Sequence, residues 1–304
     1  MKRFLALLLT LLLLPSCAAK KTSVVRVATL SGPTGFGMAT LFDDPKYEFT
    51  VCTDPTEIVA LVANGSVELA AVPTNLAATL YQKTGGNVRL VGINTLGVLH
   101  VLDATGTVHS FADLANKTVY ATGEGSSPEF VLRYLLKENG IDANVVFKAE
   151  HSELATLCIG GQAPIAVLPE PFVTNVRNKA AFTDAVDLAD VWKSTTNSEL
   201  PMGGVIVTAD FMKTHADELD AFMQKYKESV DFVNGSPKEA GALIEAHGIL
   251  PSAAIAEEAI PHCNIVLLTG ERAKEIVEPY FAMLYEADPK SVGGKLPDAA
   301  LYGG

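Results

Sequence analysis

Val24-Val25-Arg26-Val27-Ala28-Thr29-Leu30 is an apolar, β-branched run that predicts a strand. It breaks into Ser31-Gly32-Pro33-Thr34-Gly35-Phe36-Gly37, where a helix begins. Residues 49–53 predict a second strand. Asp54-Pro55-Thr56-Glu57 then supplies an N-cap and a proline at the first helical position, so a helix is expected over 57–64, stopped by Gly65. A third strand at 67–72 ends in Pro73-Thr74-Asn75, which opens another helix. Apolar runs at 88–93 and 96–102 lead out of this first half, and Phe111-Ala112-Asp113-Leu114 starts the second.

The same order then recurs. Ala121-Thr122-Gly123-Glu124-Gly125-Ser126-Ser127 lies over Ala28-Thr29-Leu30-Ser31-Gly32-Pro33-Thr34, 93 residues on. Glu150-His151-Ser152-Glu153, with Leu157, Gly161 and Leu168-Pro169, lies over Asp54-Pro55-Thr56-Glu57, with Leu61, Gly65 and Val72-Pro73, 96 residues on. Two matches in one order predict two similar α/β domains. Helical patterns at 217–233, 237–246, 253–258 and 271–284 have no counterpart in the repeat and are expected to pack back on the first domain. The expected lobes are therefore 24–100 with 205–304, and 101–204, joined by a hinge near 97–103 and 202–208.

Strands that alternate with helices imply parallel sheets, whose ligands sit beyond the carboxyl ends of the strands. Four turns thus become the candidate site: Ser31, Gly32, Pro33, Thr34 and Gly35 in the first; Thr74 and Asn75 in the second; Gly125, Ser126 and Ser127 in the third; Glu170 and Phe172 in the fourth. Each has a plainer reading. The glycines of the first turn supply backbone shape, and Ser126, Ser127, Thr74 and Asn75 serve equally as helix caps. Glu170, held between two prolines, either pairs with a donor on a ligand or shapes its turn. The order Gly-x-x-Gly-x-Gly matches neither the dinucleotide fingerprint nor a P-loop, which argues against a nucleotide.

Composition narrows the classes. With 304 residues, 48% hydrophobic and 19% charged, the chain is globular and long enough for two domains. Its formal charge of −12 excludes a nucleic-acid backbone as partner. Lys2-Arg3, an apolar run over 4–14 and Pro15-Ser16-Cys17 read as a signal peptide over 1–16, too short for a permanent span. Leu14-Pro15-Ser16-Cys17 resembles the lipobox of bacterial lipoproteins, with Pro15 off its small-residue pattern; an ordinary signal with an incidental cysteine is the other reading. Lipidation at Cys17 leaves a tether over 17–23 and an exported body anchored to the outer face of the cytoplasmic membrane or in the periplasm.

Cys52, Cys158 and Cys263 are an odd number for internal pairing and lack metal-ligand spacing, so buried thiols are expected. The six histidines are scattered as well, and neither a metal nor a cofactor is expected. His151, aligned with Pro55, is either a helix-start residue or within reach of the cleft. Arg26, Arg89, Arg133, Arg177 and Arg272 fall inside predicted strands or helices, none in a candidate turn. Together with Glu170 this favours a neutral or weakly basic heterocycle such as a pyrimidine, with a small anion held by helix N-termini as the alternative.

The signal with its lipobox, the Gly-Pro-Thr-Gly turn, Gly125-Ser126-Ser127-Pro128-Glu129 and Leu168-Pro169-Glu170-Pro171-Phe172 resemble the solute-binding lipoproteins of ABC importers, in the nitrate, sulfonate, taurine and thiamine-pyrimidine-precursor branch. The resemblance covers most of the mature chain. It implies the two-lobed periplasmic-binding (type II) α/β fold, closure on a small molecule, and permease and ATPase partners for a monomer. Some thiamine-pyrimidine synthases also resemble these proteins. Such an enzyme needs a cofactor lysine, histidines and a cysteine-rich metal segment, and the scattered cysteines and export signal point instead to a binding protein.

Overall fold

The computed structural model describes residues 24–303; the signal peptide, Cys17 and the tether over 17–23 lie outside them. The chain opens with β1 (Val25–Leu30), α1 (Pro33–Phe36), β2 (Tyr47–Cys52), α2 (Pro55–Ala63), β3 (Leu69–Pro73), α3 (Thr74–Lys83) and β4 (Val88–Thr95). It continues through β5 (Leu99–Asp103), β6 (Thr118–Thr122), α4 (Ser127–Glu138), β7 (Asn144–Lys148), α5 (His151–Ile159), β8 (Ile165–Pro169), α6 (Phe172–Arg177), β9 (Thr183–Asp187) and α7 (Leu188–Thr196). The last part holds β10 (Gly203–Thr208), α8 (Ala209–Thr214), α9 (Ala216–Gly235), α10 (Pro237–Ala246), α11 (Ala253–Ala259), β11 (Ile265–Leu268) and α12 (Gly270–Ala287).

These strands form two mixed sheets, ordered β11-β4-β10-β3-β1-β2 and β7-β6-β8-β5-β9. Within the first, β1 runs parallel to β2 and β3, while β10 runs antiparallel to β3 and β4. In the second, β6 is parallel to β7 and β8, and β5 is antiparallel to β8 and β9. The parallel parts are the repeated strand-helix units. The antiparallel strands β4, β5, β9 and β10 are those at which the chain leaves or enters a sheet, and β11 adds an antiparallel edge beside β4.

The apolar run at 96–102 is where one sheet gives way to the other. β4 ends at Thr95, three residues cross, and β5 starts at Leu99. Gly97 marks the crossing because a Cβ there would lie 2.6 Å from that of Ala189. The crossing strand is also tied by backbone and amide groups: Leu96 N–H donates to the Asn264 carbonyl at 3.1 Å, and Asn264 Nδ2 to the Gly97 carbonyl at 2.6 Å. The return crossing runs beside it, with Met202 N–H on the Thr95 carbonyl at 3.0 Å and Thr74 N–H on the Met202 carbonyl at 3.1 Å.

Helix starts follow local chemistry. Asp54 accepts from Thr56 N–H at 2.7 Å while Glu57 accepts from Asp54 N–H at 3.0 Å, a reciprocal cap in front of Pro55. One apolar cluster joins both sheets through Ile93, Val101, Leu135, Trp192 and Tyr280; a second fills the outer side of the first sheet around Phe36, Phe222, Tyr226 and Ile249; a third lies under the second sheet around Leu102, Leu154 and Val173. α9 and β11 pack together on the first sheet. α12 packs on β4 and α3 and also touches α4, which follows the second sheet's β6.

Candidate functional site

The carboxyl ends of β1, β3, β6 and β8 deliver their turns to one cavity of about 600 Å³ between the two sheets. The first turn contributes Ser31, Gly32, Pro33 and Thr34; the second Asn75; the third Ser126 and Ser127; the fourth Glu170 and Phe172. They meet in two pairs across the cleft. Ser127 Oγ donates to Asn75 Oδ1 at 2.9 Å, and a Cβ on Gly32 would stand 3.9 Å from Pro171 Cδ. Gly32 itself has φ +95°, a conformation glycine takes without strain, which lets its carbonyl accept from Gly35 N–H at 2.9 Å.

Three expected residues stay out of the wall. Gly35 packs behind it, where a Cβ would lie 2.7 Å from the Leu30 carbonyl oxygen and 2.9 Å from Ile249. Thr74 is fully buried under α3, its hydroxyl without a partner. Gly125 is exposed, its N–H donating to Glu129 Oε2 at 2.6 Å.

Glu170 lines the cavity, yet its carboxylate is turned inward and only 1% of the residue is exposed. One oxygen accepts from Thr174 N–H and the other from Thr174 Oγ1, both at 3.1 Å, capping α6. Burial raises its pKa, partly offset by the Thr174 bonds and by His100 and His262. Shaping the turn is therefore a role Glu170 already fills.

The turns are held from behind. Buried Asn94 donates from Nδ2 to the Thr34 carbonyl at 3.0 Å and to the Tyr226 hydroxyl at 2.9 Å, fixing the first turn on the sheet and on α9. Gly203 leaves the room, for a Cβ there would stand 2.6 Å from Asn94 Oδ1 and 2.8 Å from Thr34 Cγ2.

A family model described as NMT1/THI5 like matches residues 48–240, most of this architecture. The chain belongs to the NMT1/THI5-like family. No curated protein sequence matches this NMT1/THI5-like chain. Among solved structures it is similar to an ABC transporter from Parabacteroides distasonis, 26% identical, with a TM-score of 0.80 over 92% of this chain and 98% of that one. It shares its fold with the alkanesulfonate-binding protein SsuA from Xanthomonas axonopodis pv. citri bound to MOPS, at 13% identity, TM-score 0.66, and coverage of 92% and 96%. The periplasmic nitrate-binding protein NrtA from Synechocystis PCC 6803 matches at 13% identity and TM-score 0.54, over 73% of this chain and 65% of that one. The fold of the NMT1/THI5-like chain is thus the two-lobed periplasmic-binding type.

Sequence reasoning left several wall residues of this family member unassigned. Pro55 at the start of α2 and His151 at the start of α5 both line the cavity, at equivalent places in the two repeats. The 96-residue offset already paired them. His151 Nδ1 lies 2.6 Å from Thr122 Oγ1 and its ring packs on Phe172 at 5.3 Å; burial lowers its pKa to about 4, so it is neutral at pH 7. Thr53, Thr95, Met202 and Leu250 also line the wall, and nothing in the sequence around them pointed to a site. Glu150 and Glu170 are the charged side chains of the wall, which holds no lysine or arginine. A separate hollow of about 580 Å³ at the far end of α3, between Tyr81 and Asp298, draws on none of the four turns.

Among the described residues no His, Cys, Asp or Glu group is placed to hold a metal, and no helix is long and apolar enough to cross a membrane.

Proposed function

We propose that this chain captures a small molecule in the cavity between its lobes and presents it to the permease and ATPase of an ABC importer. The observation that carries this reading is the meeting of four turns, two from each sheet, around one cavity of about 600 Å³. That volume suits a small organic solute. The lobes are taken as 24–100 with 205–304, and 101–204. The protein acts as an exported monomer, held to the membrane through Cys17.

The ligand class follows from the wall. An anion would meet the Glu150 carboxylate and a neutral histidine there, with only helix N-termini to offset its charge. A neutral or weakly basic pyrimidine-like heterocycle fits better. Nitrate and sulfonates remain the second reading, because α2, α3, α4 and α5 all start at the wall, where the positive ends of helix dipoles favour negative charge. We read the protein as a carrier and not a synthase: the related enzymes need a cofactor lysine, histidines and a cysteine-rich metal segment, whereas this wall has a single histidine and neither lysine nor cysteine.

Thermal unfolding in the presence of pyrimidines, taurine, methanesulfonate, nitrate and amino acids tests this, since a ligand that binds only the folded state raises the melting temperature. A shift with heterocycles supports the reading; a shift with anions alone replaces it by the second. No shift with any compound counts against solute capture.

A further inference from the structure

The apolar cores of the two lobes meet differently on the two faces of the molecule. On one face α3 and α12 cover the first sheet and α4 and α7 the second, and their buried side chains form a single cluster that runs from Val72, Ile276 and Tyr280 to Val101, Leu135 and Trp192. Tyr280 stands edge-on to Trp192, with ring centroids 5.9 Å apart, and both residues are buried. On the opposite face the apolar side chains fall into two separate clusters, one around Phe222 and Ala256 in the first lobe and one around Leu154 and Val173 in the second. What joins the lobes there is polar. α6 touches α11, and Asn178 Nδ2 donates to Glu258 Oε2 at 2.6 Å between two exposed residues.

The two faces therefore differ in what it takes to separate them. Parting the first would bring a tryptophan and a tyrosine into water, whereas parting the second exchanges a solvent-exposed hydrogen bond for bonds to water. The crossings between the sheets lie with the first face, since Leu96, Leu99 and Leu200 all belong to the continuous cluster or pack against it. We propose that the lobes turn about the α12 seam and part along the α6–α11 flank, which makes that flank the mouth of the cavity. This rests on the reading that the cavity captures a solute, and adds where the cavity opens to receive it. The two contacts across the cavity then behave differently: Ser127 keeps its bond to Asn75 on the α12 side as the lobes move, and Pro171 draws away from Gly32. α6 ties this motion to the wall, because Phe172 at its start lines the cavity while Asn178 at its end holds α11.

The test is small-angle X-ray scattering of the purified mature protein in a series of flank variants. Asn178→Asp sets a carboxylate against Glu258, and Asn178→Lys sets a cation there. Exposed charge pairs of this kind shift an equilibrium by about two- to fivefold. The radius of gyration should be larger in Asn178→Asp than in Asn178→Lys, and adding Glu258→Lys to Asn178→Asp should bring it back down. Acrylamide quenching of Trp192, the only tryptophan, should stay the same across the series because the seam does not part. Equal radii, no recovery in the double variant, or quenching that rises with the radius overturns the proposal. A silent thermal panel beside an ordered series removes solute capture and leaves the opening geometry; a melting shift with a panel compound beside equal radii removes this proposal alone.

Discussion

Gly203→Ala is the perturbation that best separates this account of the site from a looser one. The added methyl would sit 2.6 Å from Asn94 Oδ1, 2.8 Å from Thr34 Cγ2 and 3.0 Å from Thr95 Cβ, all inside the 3.4 Å where ordinary contact begins. None of these neighbours can yield freely. Asn94 is held by its bonds to the Thr34 carbonyl and the Tyr226 hydroxyl, and Thr95 belongs to β4. Overpacking costs about 1–3 kcal/mol. Loss of one buried hydrogen bond adds about 1 kcal/mol, and the stiffer unfolded chain returns about 0.4–1 kcal/mol. The net is a loss of about 2 kcal/mol, or roughly 4–8 °C in melting temperature for a chain near this size. Gly204→Ala is the control, because the nearest atom to its Cβ is the flexible Leu90 Cδ1, at 2.8 Å; it should cost less than about 1 kcal/mol. Urea denaturation of both variants gives the comparison. A Gly203→Ala protein as stable as wild type, or no less stable than Gly204→Ala, would refute the claim that Asn94 rigidly braces the first turn.

Further outcomes follow from the buried titratable groups. Because the His151 pKa is depressed to about 4, the unfolded chain takes up a proton first as pH falls below about 6.5, and stability contributed by the neutral ring is lost between those values. His100 slopes the other way: burial opposes its charge, but Asp184, Asp187 and Glu170 outweigh burial and raise its pKa, so its contribution is complete below about 6.5 and lost as pH rises through the folded value. Urea midpoints across pH 4–7 should therefore fall less steeply on acidification in His151→Gln than in wild type; parallel curves would contradict the assignment. Glu170→Gln keeps an acceptor for Thr174 N–H and should melt close to wild type, whereas Glu170→Ala strands two buried donors and should lose about 1–3 kcal/mol. Equal melting of the two would remove the capping role.

The strand-turn-helix units were legible because their signals are local. Asp54, Pro55 and Glu57 cap a helix from within four residues, and Gly65 and Gly161 both stop helices in left-handed conformations. The cleft was legible through the repeat, since two copies of one turn series imply facing rims. The sequence suggested a hinge near 97–103, but it could not show which residue of the run at 96–102 ends one sheet, a place marked in the structure by the crowding of Gly97 against Ala189. Nor could it assign Glu170 to Thr174, or find the Asn94–Tyr226 brace, whose partners lie 132 residues apart. His151 shows the limit most clearly. Its position was marked by the offset from Pro55, but its neutrality comes from burial that only the folded chain supplies.

Cys52, Cys158 and Cys263 are all buried with free thiols, and burial raises the pKa of each. Among the described residues there is thus no native sulfur ready to take up a maleimide dye at neutral pH. In protein without Cys17, one new surface cysteine on each half of the chain would label selectively without stripping the buried three, and distances between two fluorophores could then report on opening one molecule at a time.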